Sequence, residues 1–300
     1  MSVTNWRVAN APCNFGVYSL DDPVIGPDEM LARLAAQGYA GVDSGPIGYF
    51  GTGTGLVDRL ARHGMGLAGG WVDLRFTDPD GFAADLAALD AALDVFTAVP
   101  AGDRRFAPRP TLALPGDPCR SARPGVPSEA GLPDEQWPGF AARVQQAADR
   151  CRSRGLEPVF HYHLGTLIET EAEADRLLAA TDISICLDTG HLALAGGDPV
   201  AAVDKWGRRI RQVHIKDADL AVHRRGRAEG ADLAGIVAAG GFCAVGHGDV
   251  NVKAVLAALA RIGYAGWLVV EQDAPATGQD VGRILDDQAA NRARLSVFGA

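Results

Sequence analysis

The chain has 300 residues, of which 47% are hydrophobic and 22% are charged, and its formal net charge is -9 at pH 7. This composition supports a sizeable buried core and excludes a disordered or fibrous chain. The acidic balance disfavours a general affinity for nucleic acids, because proteins that bind phosphate backbones usually carry a basic surface. We therefore expect no nucleic-acid partner.

No part of the sequence predicts a targeting or membrane-spanning segment. Residues 1–11 lack a basic-then-apolar signal, and no window approaches the roughly 18 apolar residues that a membrane span needs. The five cysteines are an odd number without a C-x-x-C spacing, which fits neither a disulfide framework nor a thiolate zinc site. We expect a cytoplasmic protein with reduced thiols and no membrane contact.

Short apolar runs with strand character alternate with longer segments of helical period, a pattern typical of a parallel sheet wrapped by helices. The predicted strands are 7–17, 39–43, 66–72, 110–114, 157–163, 183–188, 210–215 and 267–271. The predicted helices are 27–37, 55–63, 81–97, 134–154, 169–180, 199–206 and 252–261. Eight strands predict closure into a (β/α)8 barrel, a fold that reaches this length as a single domain, here residues 1–300.

Two connections depart from the regular alternation. Residues 101–138 are rich in Pro, Gly, Asp and Arg, and we expect them to form an extended loop with one strand over the barrel mouth. The seventh connection, residues 217–241, has no clear helical period. No glycine-rich phosphate fingerprint follows any predicted strand, so we expect no nucleotide cofactor.

Polar side chains that can bind a metal follow four consecutive predicted strands. In chain order they are His161 and His163, then Asp188 and His191, then His214 and Lys216, then Glu271. A barrel collects its chemistry at the carboxyl ends of its strands, so these groups should converge. Residues i and i+2 of a strand share a face, which lets both members of the pairs 161/163 and 214/216 point inward. Carboxylates mixed with imidazoles suit one divalent ion such as Mn²⁺, Co²⁺ or Zn²⁺.

Three segments at these strand ends carry a family pattern: 187–191 (LDTGH), 213–217 (VHIKD) and 266–273 (GWLVVEQD). Further parts of it are NAPCNFGV at 10–17 and H-x-H-x-G-T at 161–166. The sequence thereby resembles the xylose-isomerase-like superfamily of sugar phosphate isomerases and epimerases, with the inosose dehydratase group as the closest fit. The resemblance implies a TIM barrel that holds one divalent ion through four side chains from strands five to eight.

By matching motifs, the resemblance assigns three metal positions to Asp188, His214 and Glu271. The fourth is open, because many relatives carry a glutamate where this chain has His161. Glu169 is the nearest acidic residue, and either His161 or Glu169 could be the fourth ligand. Glu169 could also act as the catalytic base, or it could stabilise a helix amino terminus.

His163, His191 and Lys216 are the remaining catalytic candidates, and we expect them to orient substrate oxygens or to move protons. A histidine after a strand can instead hydrogen-bond a ligand carboxylate, and Lys216 can instead form a structural ion pair. Relatives commonly have Glu-Leu-Gly-Pro where residues 43–46 read DSGP, and they lack the imidazole of His247. These differences bear on the identity of the substrate.

A divalent ion at such a site favours proton abstraction next to a carbonyl that the ion polarises. The resemblance therefore implies an isomerase or epimerase of a small keto-sugar or cyclitol, in carbohydrate metabolism such as inositol catabolism. A dehydratase reaction, which makes the enzyme a lyase, is the alternative. A non-catalytic or partner-dependent sugar-binding barrel stays open, whereas the acidic charge disfavours an abasic-site endonuclease. The expected partner is a small polyhydroxylated carbonyl compound, and the chain could form a homo-oligomer.

Overall fold

Eight parallel strands close into a barrel in the computed structural model, which describes residues 6–21, 23–125 and 131–300. The strands, with a separate antiparallel pair β8 and β9, are β1 (Trp6–Asn10), β2 (Gly41–Asp43), β3 (Gly66–Asp73), β4 (Arg109–Ala113), β5 (Val159–Phe160), β6 (Ser184–Asp188), β7 (Ile210–Ile215), β8 (Asp217–Ala218), β9 (Phe242–Cys243) and β10 (Gly266–Val270). Barrel strands pair with their neighbours in chain order, and β1 pairs with β10 to close the ring. The predicted (β/α)8 fold is confirmed.

Helices connect and cover the strands. They are α1 (Pro27–Ala36), α2 (Gly53–Arg62), α3 (Pro79–Ala98), α4 (Pro118–Ala122), α5 (Trp137–Ser153), α6 (Glu171–Ala180), α7 (Thr189–Leu194), α8 (Pro199–Trp206), α9 (Leu220–Glu229), α10 (Leu233–Ala238), α11 (Val252–Arg261) and α12 (Val281–Phe298). Three helices begin with an aspartate cap followed by a proline, at Asp78, Asp117 and Asp198. The aspartate side chain accepts a backbone N–H of the first turn, and the proline has no N–H that needs a partner. Among the described residues, no helix combines the length and the apolar character needed to cross a bilayer.

Several predicted boundaries are wrong for local reasons. The first strand ends at Asn10, because Pro12 begins a 3-10 helix, Pro12–Phe15. The fifth strand has only two residues and gives way to a turn-rich segment before α6. Helix α6 begins at Glu171 and not at Glu169, because Thr170 forms a capping box with Glu173.

Two regions contain more structure than predicted. The predicted loop 101–138 holds β4 but also α4 and two 3-10 helices, Arg104–Phe106 and Asp134–Gln136. The unclear connection 217–241 holds α9 and α10. Helix α12 was not predicted either, and its buried positions include the amides Gln288 and Asn291 alongside apolar residues. A helix whose buried face is partly polar has a weak hydrophobic period.

The indole of Trp267 on β10 packs against glycines of two other strands. A Cβ atom added at Gly41 would lie 2.6 Å from the Trp267 ring, and one added at Gly66 would lie 2.9 Å from it. The indole N–H donates to the carbonyl of Phe106 at 3.0 Å, which fixes the ring in place. The absence of a side chain at both glycines therefore makes room for the large side chain that fills this space.

We expect Gly41→Ala to lower the free energy of unfolding by about 1–3 kcal/mol, because the new methyl group overpacks the Trp267 ring. Gly55→Ala is the matched control, since Gly55 lies in α2 with open space around its Cβ position. That variant should be neutral or stabilise the protein by up to about 1 kcal/mol. Urea denaturation measures both, and equal effects of the two substitutions would contradict the packing described.

Candidate metal centre

Asp188 ends β6, is completely buried and is held through its backbone and one carboxylate oxygen. The Tyr162 hydroxyl donates to the Asp188 carbonyl at 2.7 Å and accepts from its N–H at 2.9 Å. Oδ1 of Asp188 accepts the backbone N–H of His191 at 2.8 Å and so caps α7. Oδ2 accepts no hydrogen bond of good geometry from the described residues. The strand-to-helix turn therefore fixes Asp188 and leaves Oδ2 facing the ionisable groups of the neighbouring strands, with Lys216 Nζ at 3.3 Å.

This oxygen is one of four potential metal-binding atoms that lie within 4.8 Å of one another. They are Oδ2 of Asp188, Nε2 of His161, Nδ1 of His214 and Oε2 of Glu271. His161 Nε2 lies 3.2 Å from His214 Nδ1 and 3.5 Å from Asp188 Oδ2. His214 Nδ1 lies 3.6 Å from Asp188 Oδ2 and 3.0 Å from Glu271 Oε2. Donors of a tetrahedral ion with bonds of about 2.1 Å are about 3.4 Å apart, so this spacing fits a single divalent ion.

His161 presents an unprotonated nitrogen to this cluster. Its Nδ1 lies 2.6 Å from the carbonyl oxygen of Tyr162, which can only accept, so Nδ1 carries the proton and Nε2 keeps its lone pair. Burial lowers the pKa of His161 and favours this neutral form. The ring therefore has the protonation state that a metal ligand requires.

Glu169 lies outside the donor cluster. Its side chain is completely buried, and its Oε1 accepts from Arg120 Nη1 at 2.8 Å. Its Oε2 accepts the backbone N–H of Gly165 at 2.9 Å. Both oxygens are thus used to anchor the segment between β5 and α6. Glu169 therefore lies outside the cluster and precedes the first turn of α6, and its predicted role as a metal ligand or catalytic base stays a prediction.

The carboxylates of the cluster stay ionised despite their burial. Desolvation alone would raise the pKa of Asp188, but Lys216, His191 and hydrogen bonds from His161 and His214 together outweigh it and hold that pKa well below its ordinary value. For Glu271, His214 and Lys216 outweigh desolvation and lower the pKa to about 2. By contrast, burial and the nearby Glu271 raise the pKa of Asp43, at the end of β2, to about 6. Asp188 and Glu271 are therefore anionic and suited to bind a cation.

The other predicted residues lie directly beside the cluster. Lys216 is 1% exposed, and its Nζ contacts Asp188 Oδ2 at 3.3 Å and Glu271 Oε2 at 3.0 Å. The same ammonium lies 3.0 Å from Nε2 of His191. The rings of His163 and His191 contact each other with centroids 3.8 Å apart. The seven strand-end residues predicted from sequence are thus brought together.

Asp273 lies in the predicted motif at 266–273 but was given no role from sequence, and neither was Asn14. The spacing that suggested the pairs 161/163 and 214/216 also puts Asp273 two residues after Glu271, so the signal was present but unused. Asn14 gave no such signal. Its Nδ2 donates to the Val270 carbonyl at 3.0 Å and its Oδ1 accepts from the Gln272 N–H at 2.6 Å. One amide thereby holds the backbone on both sides of Glu271.

A cavity of about 530 Å³ lies beside the cluster, within the roughly 300–1,000 Å³ typical of small-molecule sites. Polar groups of both charges line it, including Asp43, Lys216 and Asp273. Trp71 supplies an apolar part of the wall, and its ring contacts His163 edge-on with centroids 5.3 Å apart. The cavity therefore suits a small ligand with several hydroxyl groups and one apolar face.

Comparison with known proteins assigns the family. The family model described as "Xylose isomerase-like TIM barrel" matches residues 31–290. This chain belongs to that family. It is 32% identical over 263 residues to the rhizopine catabolism protein MocC of Rhizobium meliloti, covering 84% of this chain and 78% of that protein. It is 27% identical over 281 residues to the inosose dehydratase of Geobacillus kaustophilus (strain HTA426), covering 91% of this chain and 89% of that protein.

Solved structures agree on the fold. The D-allulose 3-epimerase from Methylomonas sp. superposes with a TM-score of 0.67 at 16% identity, covering 98% of this chain and 97% of that one. At this level of identity the likeness concerns the fold alone. The superfamily predicted from the strand-end motifs is confirmed, and the buried donor cluster of this chain is consistent with a divalent metal site.

We expect the purified protein to contain about one divalent ion per chain, and Asp188→Asn to lose it, because asparagine can still cap α7 but removes the charge. Glu169→Gln should retain the ion, since Glu169 contacts Arg120 and not the cluster. Elemental analysis after gel filtration, with circular dichroism to monitor the fold, measures both. A folded wild-type protein without an ion under metal-replete conditions would contradict the assignment.

Proposed function

We propose that this chain is a divalent-metal-dependent enzyme that abstracts a proton next to the carbonyl of a small polyhydroxylated ketone, and that it dehydrates a cyclitol ketone of the inosose type. The observation that carries the proposal is the set of four donor atoms beside a cavity whose wall also holds an ammonium group. When bound, the ion would act as a Lewis acid and polarise the carbonyl.

The ion would be held by His161, Asp188, His214 and Glu271. Two carboxylates and two imidazoles form a mixed oxygen and nitrogen set, which suits Mn²⁺, Co²⁺ or Zn²⁺. The two carboxylates balance the charge of a divalent ion, and the neutral ring of His161 adds a donor without adding charge.

The remaining polar groups would move protons and orient the substrate. Dehydration breaks a C–H bond beside the carbonyl, forms a C=C bond, and releases the hydroxyl of the next carbon as water. A base must take the first proton, and an acid must protonate the departing hydroxyl. His163 lines the cavity as a candidate base, and the Lys216 ammonium lines it as a candidate acid. His191 would orient Lys216, whose Nζ it contacts at 3.0 Å.

The overall reaction is supported by the relatives that align with most of the chain. An inosose dehydratase aligns with 91% of it, which supports dehydration of a cyclitol ketone and a role in inositol catabolism. From sequence alone, isomerisation or epimerisation of a keto-sugar is the first expected reaction, and dehydration is the alternative. These reactions share the initial proton abstraction and remain the second candidate, because the same donor cluster serves them.

We expect the metal-loaded protein, incubated with inososes in D₂O, to release water from one of them and to introduce deuterium beside the carbonyl. Proton NMR follows both events, and a panel of keto-sugars is run in parallel. Lys216→Met should lower turnover by about 100-fold or more while the ion stays bound, because it removes the proposed acid.

The other outcomes discriminate among the alternatives. Deuterium exchange without loss of water would favour the isomerase or epimerase reaction. Ligand binding with no exchange for any compound of the panel would contradict an enzymatic role and favour a sugar-binding barrel.

A further inference from the structure

Asp273 lies beside the donor cluster but outside the set of four residues that would hold the ion. Its Oδ2 lies 3.0 Å from Nζ of Lys216 and 3.5 Å from Nε2 of His191. It belongs to a second group of possible ligands with His163 and His191. In that group, however, the Lys216 ammonium already contacts both Asp273 and His191. A second metal ion is therefore not needed to explain the position of Asp273.

Lys216 poses an electrostatic problem for the metal centre. Its ammonium contacts Asp188 Oδ2 and Glu271 Oε2, the same two oxygens that would hold the ion. A divalent ion and an ammonium that share two buried oxygens are close enough to repel each other strongly, because little solvent screens them. A lysine at this place would weaken the metal centre unless a further anion compensates its charge.

The structure holds Lys216 in this position. A Cβ atom at Gly190 would lie 2.6 Å from Cγ of Lys216, so the lysine stem packs directly on this glycine. Thr189 Oγ1 accepts the backbone N–H of Lys216 at 2.9 Å. The ammonium also lies 4.9 Å from the centroid of the Phe242 ring, a cation–π contact. The lysine is thus built into the wall and cannot avoid the ion by turning to solvent.

We propose that Asp273 is a positioning residue that compensates the charge of Lys216 and so lets the ammonium and a divalent ion occupy the same buried site. Imidazoles that bind an ion are neutral. In the metal-bound site, Asp188, Glu271 and Asp273 contribute three negative charges and Lys216 one positive charge, which leaves a net charge of about -2. This value matches a divalent ion, whereas the site without Asp273 would be one charge short. The inference rests on the proposed function, because it presupposes that the donor cluster binds a metal.

A double-mutant cycle on metal affinity tests the proposal. Isothermal titration of Mn²⁺ into the full-length metal-depleted protein compares the wild type, Asp273→Asn, Lys216→Met and the double variant. We expect Asp273→Asn to weaken binding by about 10–100-fold, the range seen when partners of metal sites are removed. We expect Lys216→Met to bind at least as tightly as the wild type. In the double variant, the Asp273→Asn defect should disappear, because no uncompensated ammonium remains.

Two further variants separate charge from structure. Asp73→Asn, which removes a carboxylate from the wall of the same cavity at the end of β3, should change the affinity by less than about threefold. Asp273→Glu, which keeps the charge, should bind Mn²⁺ more tightly than Asp273→Asn. Thermal unfolding of every variant is recorded, so a loss of fold is seen directly.

The results that overturn the proposal differ from those that overturn the proposed function. If Asp273→Asn binds Mn²⁺ like the wild type, or if its defect persists in the Lys216→Met background, Asp273 does not act through Lys216. Equal losses of Mn²⁺ affinity in Asp273→Asn and Asp273→Glu would also contradict the proposal, because the charge of residue 273 would then have no effect. If the wild-type protein itself binds no divalent ion, the metal-dependent function fails, and the role of Asp273 fails with it.

Discussion

The site depends on the close approach of four electron-donating atoms in the interior of the protein. Two carboxylate oxygens and two imidazole nitrogens, separated by 3.0–3.6 Å where their distances are known, would repel each other if all carried free lone pairs. Such an arrangement needs protons on its imidazoles or a cation among or beside the four atoms. Although burial alone would lower the pKa of His214, the nearby Cys186 and Glu271 raise it well above its usual range. The ammonium of Lys216 contacts the cluster, and the geometry of the four atoms fits a metal ion.

The surrounding structure holds these atoms in place through backbone contacts. The Tyr162 hydroxyl forms two hydrogen bonds with the backbone of Asp188, and Asn14 holds the backbone on both sides of Glu271. The carbonyl of Tyr162 also fixes the tautomer of His161. Three of the four donors are thus oriented by partners outside the cluster, which reduces the cost of ordering the site when an ion binds.

The sequence was sufficient to predict the barrel and the family. Its motifs also named three of the four residues that the fold groups as a donor cluster, with His161 as one of two candidates for the fourth. Strand runs of apolar residues are a local signal, and the motifs around Asp188, His214 and Glu271 are compact in sequence. The choice between His161 and Glu169 was beyond this reasoning, because it depends on Arg120, which is 49 residues from Glu169 in the chain. Contacts between distant segments leave no periodic pattern that a single sequence can reveal.

The helix α12 escaped prediction for a related reason. Part of its buried face consists of amides, and Gln288 and Asn291 hydrogen-bond to each other and to amides elsewhere in the chain. A hydrophobic period cannot indicate a helix that packs partly through polar groups. Asp273 is a different case. It stands at the same two-residue spacing as the predicted pairs, so closer attention to strand periodicity would have included it.

The pairing of β1 with β10 and the amides around Asn14 bring residues near position 10 and helix α12 together next to Glu271. The backbone on both sides of Glu271 is held by Asn14, and helix α12, which begins at Val281, packs against the same amides. During synthesis on the ribosome, Glu271 can reach its final orientation only after α12 has been synthesised and Gln288 has packed against Asn10 and Asn14. Shorter nascent chains therefore carry the same acidic and imidazole groups without the arrangement that the four donor atoms have in the folded barrel.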